Sequence, residues 1–294
     1  MEIKNVGGVN MGGEPGECPT LLIGSIFYDR QKLVLDPAEG EFDEEAALAL
    51  LTLQGRWSEK TGNPAGLDVI ASTPQAMRRY LDFVTAHFQG PILVDGSDAK
   101  VKVAGVEHLA AKGLVHLAVY NSLTPESREY EYQALEACGV KAAVLLPVQA
   151  QDFTVEAKFK ILTGSDGLMS LAGRRGVEHR LVDPGVIDLP SVGLAKEVFS
   201  LVRAQDCLVG AAPHNAIGTW GGLTEKFGQD FKLTATAVLN ALPPAWGADF
   251  VIYGPLTLAS TVFPAVAMVN AIMAQTLLEK GRFPGPEHPL FKIA

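Results

Sequence analysis

Eight short apolar runs recur along this chain, each closed by Gly, Pro, Asn, Asp or Ser and each followed by a longer helical pattern. They are Leu21–Tyr28, Leu67–Ala71, Ile92–Asp95, Val115–Tyr120, Ala142–Leu146, His179–Asp183, Cys207–Gly210 and Phe250–Tyr253. Runs of this length without polar alternation read as strands covered on both faces, as in a parallel sheet. The intervening segments carry helix starts. Asp43-Glu44-Glu45 opens a helix over Phe42–Lys60, since acidic residues suit the positive end of the helix dipole. Ser72-Thr73-Pro74 caps Gln75–His87, Thr124-Pro125-Glu126 starts a helix that stops near Gly139, and Pro190-Ser191 starts one running to Gln205. Over 294 residues the unit repeats about every 37. The expectation is a single-domain (β/α)8 TIM barrel over residues 1–294, with 1–20 as an N-terminal extension and 281–294 as a C-terminal tail. A doubly wound open sheet is the alternative. It would normally carry a Gly-rich turn after the first strand, but FYDRQKLVLDPAEG contains no GxGxxG.

Composition narrows the function classes. With 24 Lys+Arg against 33 Asp+Glu, the net charge is −9, the wrong sign for a protein that lives on nucleic-acid phosphates. Cys18, Cys138 and Cys207 lie far apart and form no CxxC, so neither a disulfide framework nor a zinc knuckle is written. MEIKNVGGVNMGGEPGE lacks the apolar core of a secretory signal, and a cytoplasmic protein is expected. Pro255–Leu278 carries no charge and is long enough to cross a bilayer, but Pro264, Asn270 and Gln275 interrupt it and no Lys/Arg cluster precedes it. It reads as a helix buried on most sides, with a homodimer interface as its use and no stable membrane insertion.

A barrel of this type keeps its active site at the C-terminal ends of its strands. Those ends read Val94-Asp95, Tyr120-Asn121-Ser122, Val182-Asp183-Pro184-Gly185, Gly210-Ala211-Ala212-Pro213-His214-Asn215 and Tyr253-Gly254-Pro255. Two carboxylates and two amides at one mouth, with no Lys or Arg to hold a phosphate, suit a planar ring rich in N–H donors. A pterin fits, since its 2-amino and N3–H edge matches a carboxylate in a bidentate pair. Asp95, Asn121 and Asp183 could equally cap strand ends or the helices that follow. Gln149, after the fifth strand, and Gly210, at the end of the seventh, are further candidates for substrate binding in the pocket, and the Gly-rich loops offer hinge positions.

Several blocks in order resemble the H-subunit family of tetrahydromethanopterin S-methyltransferase and its bacterial, tetrahydrofolate-using relatives. They are GGEPGECPTLLIGSIFY (Gly12–Tyr28), TGNPAGLDVIASTPQAMRRYLDFV (Thr61–Val84), AVYNSL (Ala118–Leu123), His214-Asn215, YGPLTLASTVFPAVAM (Tyr253–Met268) and EHPLFKIA (Glu287–Ala294). The series Asp95, Asn121, Asp183 and Asn215 also resembles the pterin-binding barrels that include corrinoid methyltransferases and dihydropteroate synthase. The resemblance implies methyl transfer between N5 of a tetrahydropterin and the cobalt of a corrinoid, and its closer likeness to the bacterial branch makes tetrahydrofolate the expected pterin, with tetrahydromethanopterin the alternative. It implies that Asp95, Asn121 and Asp183 hold the pterin, that Asn215 sits at N5 as the catalytic residue, and that Asp68 is the acid of the second strand. Asp68 can also be no more than a charge at a barrel mouth.

In one direction cob(I)alamin attacks the N5-methyl group and N5 needs a proton or hydrogen bond to leave. Catalysis by positioning and electrostatic support is expected. His214 is a candidate proton carrier or a packed loop residue, and Trp220 either flanks the site or packs its own loop. Arg174-Arg175 is either a solvated pair or a contact for an acidic group. No DxHxxG cobalamin motif is present, so the corrinoid is expected on a separate protein. His87, His108, His116, His179, His214 and His288 show no i, i+4 pairing, and no bound metal is expected. Two other readings stay open: a tetrahydromethanopterin-specific component active only in a membrane complex, and a pterin-condensing enzyme of the dihydropteroate synthase kind.

Overall fold

The computed structural model describes residues 1–293. Eight parallel strands close into a barrel: β1 (Leu21–Ile26), β2 (Ala65–Ala71), β3 (Ile92–Gly96), β4 (Ala118–Leu123), β5 (Ala142–Leu145), β6 (His179–Val182), β7 (Leu208–Ala211) and β8 (Phe250–Pro255). Each strand pairs with its neighbours in sequence, and β8 pairs back onto β1. The helices that cover it are α1 (Glu44–Thr61), α2 (Pro74–His87), α3 (Ala99–Ala111), α4 (Glu129–Cys138), α5 (Val155–Thr163), α6 (Leu168–Arg174), α7 (Leu189–Arg203), the short α8 (His214–Gly218) and α9 (Leu223–Phe227), α10 (Asp230–Ala245), α11 (Ala259–Leu278) and α12 (Pro289–Ile293). The chain is one domain, as expected.

Strand periodicity divides the core in two. Leu21, Ile23, Leu93, Val119, Val144, Leu181, Leu208, Phe250 and Ile252 point inward and fill the barrel. Their neighbours Leu22, Val69, Ile92, Val94, Tyr120 and Val251 point outward against the helices. The segment read as an extension is part of this interior. Ile3–Val6 and Val9–Gly12 form a hairpin whose Val6 and Met11 join the inward cluster. Its two-residue turn, Gly7-Gly8, has positive φ at both positions, as such turns require. Arg203 fastens it, donating to Gly13 O at 2.8 Å and to both Asp249 oxygens at 2.9 and 3.0 Å. The tail expected at 281–294 folds back as α12 against α1 and α11, with Pro289 buried, and Ala294 lies outside the described residues.

Other boundaries moved for local reasons. Val115–Leu117 makes a 3-10 turn, so β4 starts three residues later than expected and runs to Leu123. Thr124–Ser127 closes a turn through Ser127 N–H to Thr124 O at 3.0 Å, and α4 starts only at Glu129. There the carboxylate of Glu131 takes the Arg128 N–H at 2.8 Å, supplying the cap. Gly139 does end that helix, with φ 71°.

The uncharged helix α11 is not buried on most sides. Val262, Phe263, Val266, Ala267, Asn270, Ala274 and Leu277 face inward, while Met268 and Ile272 on the opposite side are 59% and 67% exposed. Asn270, which broke the apolar run in the sequence, is a buried peg. Its oxygen accepts from Thr20 N at 2.9 Å and Asn63 Nδ2 at 2.7 Å, and its Nδ2 donates to Thr20 Oγ1 at 3.0 Å. Asn270→Leu leaves the buried Thr20 N–H without its partner, while Asn63 Nδ2 keeps Thr20 O and Thr20 Oγ1 keeps Ala248 O, and is expected to destabilise the fold by about 2 kcal/mol. Thermal denaturation checks this as a fall in Tm of several degrees.

Candidate active site

The inward positions turn polar one step before the C-terminal rim. Ser25 follows Ile23 by two residues, Asp95 follows Leu93, Asn121 follows Val119 and Asp183 follows Leu181, while β2 turns Asp68 and Ile70 inward. The same alternation that fills the barrel below therefore lines its mouth with hydrogen-bonding groups. The resulting cavity has a volume of about 510 Å³ and includes Asp68, Asp95, Asn121, Asp183, His214 and Asn215 in its wall. Apolar sides come from Ile70, Val144, Val148, Val186 and Ile252. Among the described residues that line it there is no Lys or Arg.

Two sequence candidates lie elsewhere. Gln149 lines an adjacent, more open cavity of about 750 Å³ between the loops after β4 and β5. It sits far enough past the end of β5 for the loop to carry it outward. Gly210 is inward-facing but below the mouth, where an added Cβ would come within 2.3 Å of Phe250 O and 2.5 Å of the Phe250 ring. Its role is to admit that ring to the interior. Conversely, Ser25 and Tyr28 line the cavity and were not singled out, although the β1 alternation places Ser25 there.

The carboxyls are tied to one another. Ser25 Oγ donates to Asp68 Oδ2 at 2.8 Å, favoured by the lateral pairing of Ser25 with Asp68. Asn121 Nδ2 donates to Asp68 Oδ1 at 3.2 Å. Asp95 accepts its neighbour's Gly96 N–H at 2.7 Å, and Asp183 accepts Gly185 N–H at 2.8 Å. Asn215 stands on the exposed rim at the start of α8, and its Nδ2 donates to Val186 O at 3.2 Å. So both the local capping and the convergence on one pocket are present.

Burial sets the charge. Removal from water raises Asp183 to about 6, against the opposing pull of the Gly185 N–H and the Lys158 ammonium. Asp68 and Asp95 are both raised by burial, and Asp95 more so because the Asp68 charge repels its own. This pair therefore offers a carboxyl donor beside a carboxylate acceptor. The His214 ring is half-buried against Gly254, its Nδ1 has no partner, and burial together with Lys232 lowers its pKa, so it is neutral.

A raised carboxyl contributes folded-state stability that is present below its unfolded value and lost as pH rises through its folded value. For Asp183 that loss spans pH 3.8 to about 6. Asp183→Asn, neutral throughout, is expected to have a higher Tm than the wild type above pH 7 and no advantage at acid pH. Thermal melts of both proteins across this range check it.

Other sequence candidates are surface features. Arg175 pairs with Glu129 and Glu136, and Arg174 with Asp166 at 3.3 Å. Trp220 packs edge-on against Phe227 at 5.9 Å and is not in the cavity wall. Among the described residues no group of three or more His, Cys, Asp or Glu is placed to hold a metal ion.

Comparison with known proteins gives the fold and family. Solved dihydropteroate synthases superpose over most of the chain. That of Yersinia pestis with a sulfonamide drug complex has a TM-score of 0.64 at 11% identity, covering 93% of this chain and 100% of that one. That of Xanthomonas albilineans in complex with 7,8-dihydropteroate has a TM-score of 0.57 at 15% identity, covering 87% and 94%. These likenesses show the TIM-barrel fold. Sequence relatives are nearer. The H subunit of tetrahydromethanopterin S-methyltransferase from Methanocaldococcus jannaschii is 34% identical, covering 99% of this chain and 97% of the relative. That of Methanococcus vannielii is also 34% identical, covering 97% and 95%. The family described as MtrH, tetrahydromethanopterin S-methyltransferase MtrH subunit, matches residues 1–282. Matched along nearly all of its length, the chain belongs to the MtrH family of methyltransferase subunits.

Proposed function

We propose that this methyltransferase moves a methyl group between N5 of tetrahydrofolate and the cobalt of a corrinoid carried by a separate protein. The observation that carries the reading is the cavity itself: three carboxyls and two amides, without a cation, at the mouth of a pterin-type barrel. Asp183 would take the 2-amino and N3–H edge of the ring. Asn121, held by Asp68, and the Asp95 carboxyl would serve the remaining donors and acceptors, with Asn215 at the rim beside N5. The apolar wall would cover the ring faces.

When methyl leaves N5 for cobalt, the C–N bond breaks, N5 keeps the electron pair, and a proton must reach N5. Asn215 can turn its amide to donate to that nitrogen or accept from it. In reverse, N5 attacks the methyl–cobalt carbon and gives up its proton. Nothing in this scheme needs a covalent enzyme intermediate, so positioning and electrostatics supply the rate. The relatives are named as tetrahydromethanopterin enzymes and as subunits, which supports a tetrahydropterin substrate and a protein partner. The two pterins differ mainly away from N5, and tetrahydrofolate remains our proposal for this chain. A condensing reaction would need cations for a pyrophosphate, and the cavity wall has none among the described residues. We further propose a cytoplasmic protein that pairs with a second copy through the outward side of α11.

An anaerobic assay with methylcobalamin and each tetrahydropterin tests the reading. Appearance of cob(I)alamin together with 5-methyltetrahydrofolate supports it. Turnover with tetrahydromethanopterin alone corrects the substrate, and binding of neither pterin overturns it. Sedimentation showing a monomer at micromolar concentration removes the homodimer.

A further inference from the structure

Two lysines stand directly behind the cavity without lining it. Lys158, on α5, has no exposed surface, and its Nζ donates to Pro184 O at 2.6 Å while lying 4.8 Å from the Phe153 ring centre. Among the described residues no carboxylate lies within 4.0 Å of it. Lys102, on α3, is 12% exposed; its Nζ donates to Ser122 O at 2.9 Å, lies 3.8 Å from Glu131 Oε2 and 4.7 Å from the Tyr120 ring centre. Each lysine thus holds the carbonyl one residue after a cavity residue: Ser122 after Asn121, Pro184 after Asp183.

Burying an ammonium is costly, and a Lys158 without a close carboxylate recovers little of that cost locally. A carbonyl anchor alone needs only a neutral donor. The charge is what distinguishes a lysine, and the carboxylate that feels the Lys158 charge is Asp183 of the cavity. We propose that Lys102 and Lys158 are positioning residues, counter-charges held behind the mouth that fix the Asn121–Ser122 and Asp183–Pro184 segments and favour ionisation of the adjacent cavity carboxyls. The role for ligand binding rests on the tetrahydropterin reading above.

The surrounding charges agree with this division. Asp183 feels Lys158 from α5 and the Gly185 N–H of its own loop, with the neutral His214 elsewhere on the cavity wall. Asp95 feels the negative Asp68 from β2 and the positive Lys102 from α3. Lys102 is itself held by Glu131 from α4, Asp95 and Asp98. The Lys158 loop also reaches the rim. Val186, two residues after Pro184, gives its carbonyl to Asn215, so one buried ammonium braces the segment that orients both Asp183 and Asn215.

The test is a carboxyl-carbon NMR titration of the free, full-length protein, wild type against Lys158→Met and Lys102→Met. Lys158→Met is expected to weaken the ionisation of Asp183 by about tenfold and leave Asp95 in place, and Lys102→Met to do the converse. Lys158→Arg, which keeps the charge, should restore Asp183 and serves as the second variant if the methionine form fails to fold. Unmoved midpoints in both methionine variants overturn the proposal. Tetrahydrofolate affinity gives the second readout. The loss in Lys158→Met should be about fivefold near pH 6 and shrink towards pH 8.5, as Asp183 ionises unaided. An equal loss at every pH marks the lysine as scaffold and overturns the electrostatic role. A wild type that binds no tetrahydropterin counts against the proposed function, while the titration of the free protein still decides the lysines.

Discussion

Asp183→Asn is expected to weaken tetrahydrofolate binding roughly a hundredfold while the protein becomes more stable above neutral pH. The two effects share one cause. Asp183 is buried at the end of β6, and dehydration raises its pKa to about 6, so its charge is held at a cost to the fold. A pterin edge with two N–H donors recovers that cost through a charge-assisted pair. Asparagine removes the charge and can present an NH2 group to donors that need an acceptor, which leaves buried polar groups unpaired and costs about 3 kcal/mol. The wild-type affinity should therefore fall as pH drops through about 6, where the carboxylate protonates. The variant's weak affinity should stay flat. Calorimetric titration over this range reads both, and wild-type affinity in the variant would mean that the ring edge lies elsewhere.

Asn215→Ala is expected to lower the methyl-transfer rate constant by about a hundredfold or more with only a small change in pterin affinity. Its amide is on the exposed rim and holds a single protein partner, the Val186 carbonyl at 3.2 Å. It carries little of the fold and little of the ring's embrace. On the proposed function its value comes when charge develops at N5, and an alanine there offers neither donor nor acceptor. Single-turnover mixing of the pterin-loaded enzyme with a methyl donor separates the rate from the affinity. A rate within a few-fold of wild type would transfer the N5 role to another group, with Ser122 and the Asp95 carboxyl the first alternatives in the cavity wall.

How much of this was legible follows from which physics each part obeys. The barrel was legible because a strand covered on both faces must be apolar throughout, and eight such runs are hard to miss. Asp95, Asn121 and Asp183 were legible because they end those runs. Ser25 obeys the same alternation, but it sits inside Gly24-Ser25-Ile26-Phe27, where the apolar run continues past it and hides the break. Gln149 was misplaced because loop length decides whether a residue after a strand turns inward. Gly210 was misplaced because depth along a strand depends on its neighbours, here the Phe250 ring. The N-terminal hairpin was missed although Val6-Gly7-Gly8-Val9 has the turn signature; its flanking strands are four residues each, short enough to look like loop. The two lysines could not be found at all. They belong to helices, and only packing brings α3 and α5 behind the mouth.

That hairpin has a consequence for traffic. Val6 and Met11 pack into the foot of the barrel and the inward side chains fill its middle, so among the described residues the foot is plugged and the cavity stands at the other end. On the proposed function, the flat ring, the proton and the methyl-bearing macrocycle would all pass the mouth. A bulky carrier seated there would close the exit behind the ring. The smaller guest would then enter before the carrier arrives and wait until it departs, a first-in, last-out queue imposed by the short hairpin at the opposite end of the barrel.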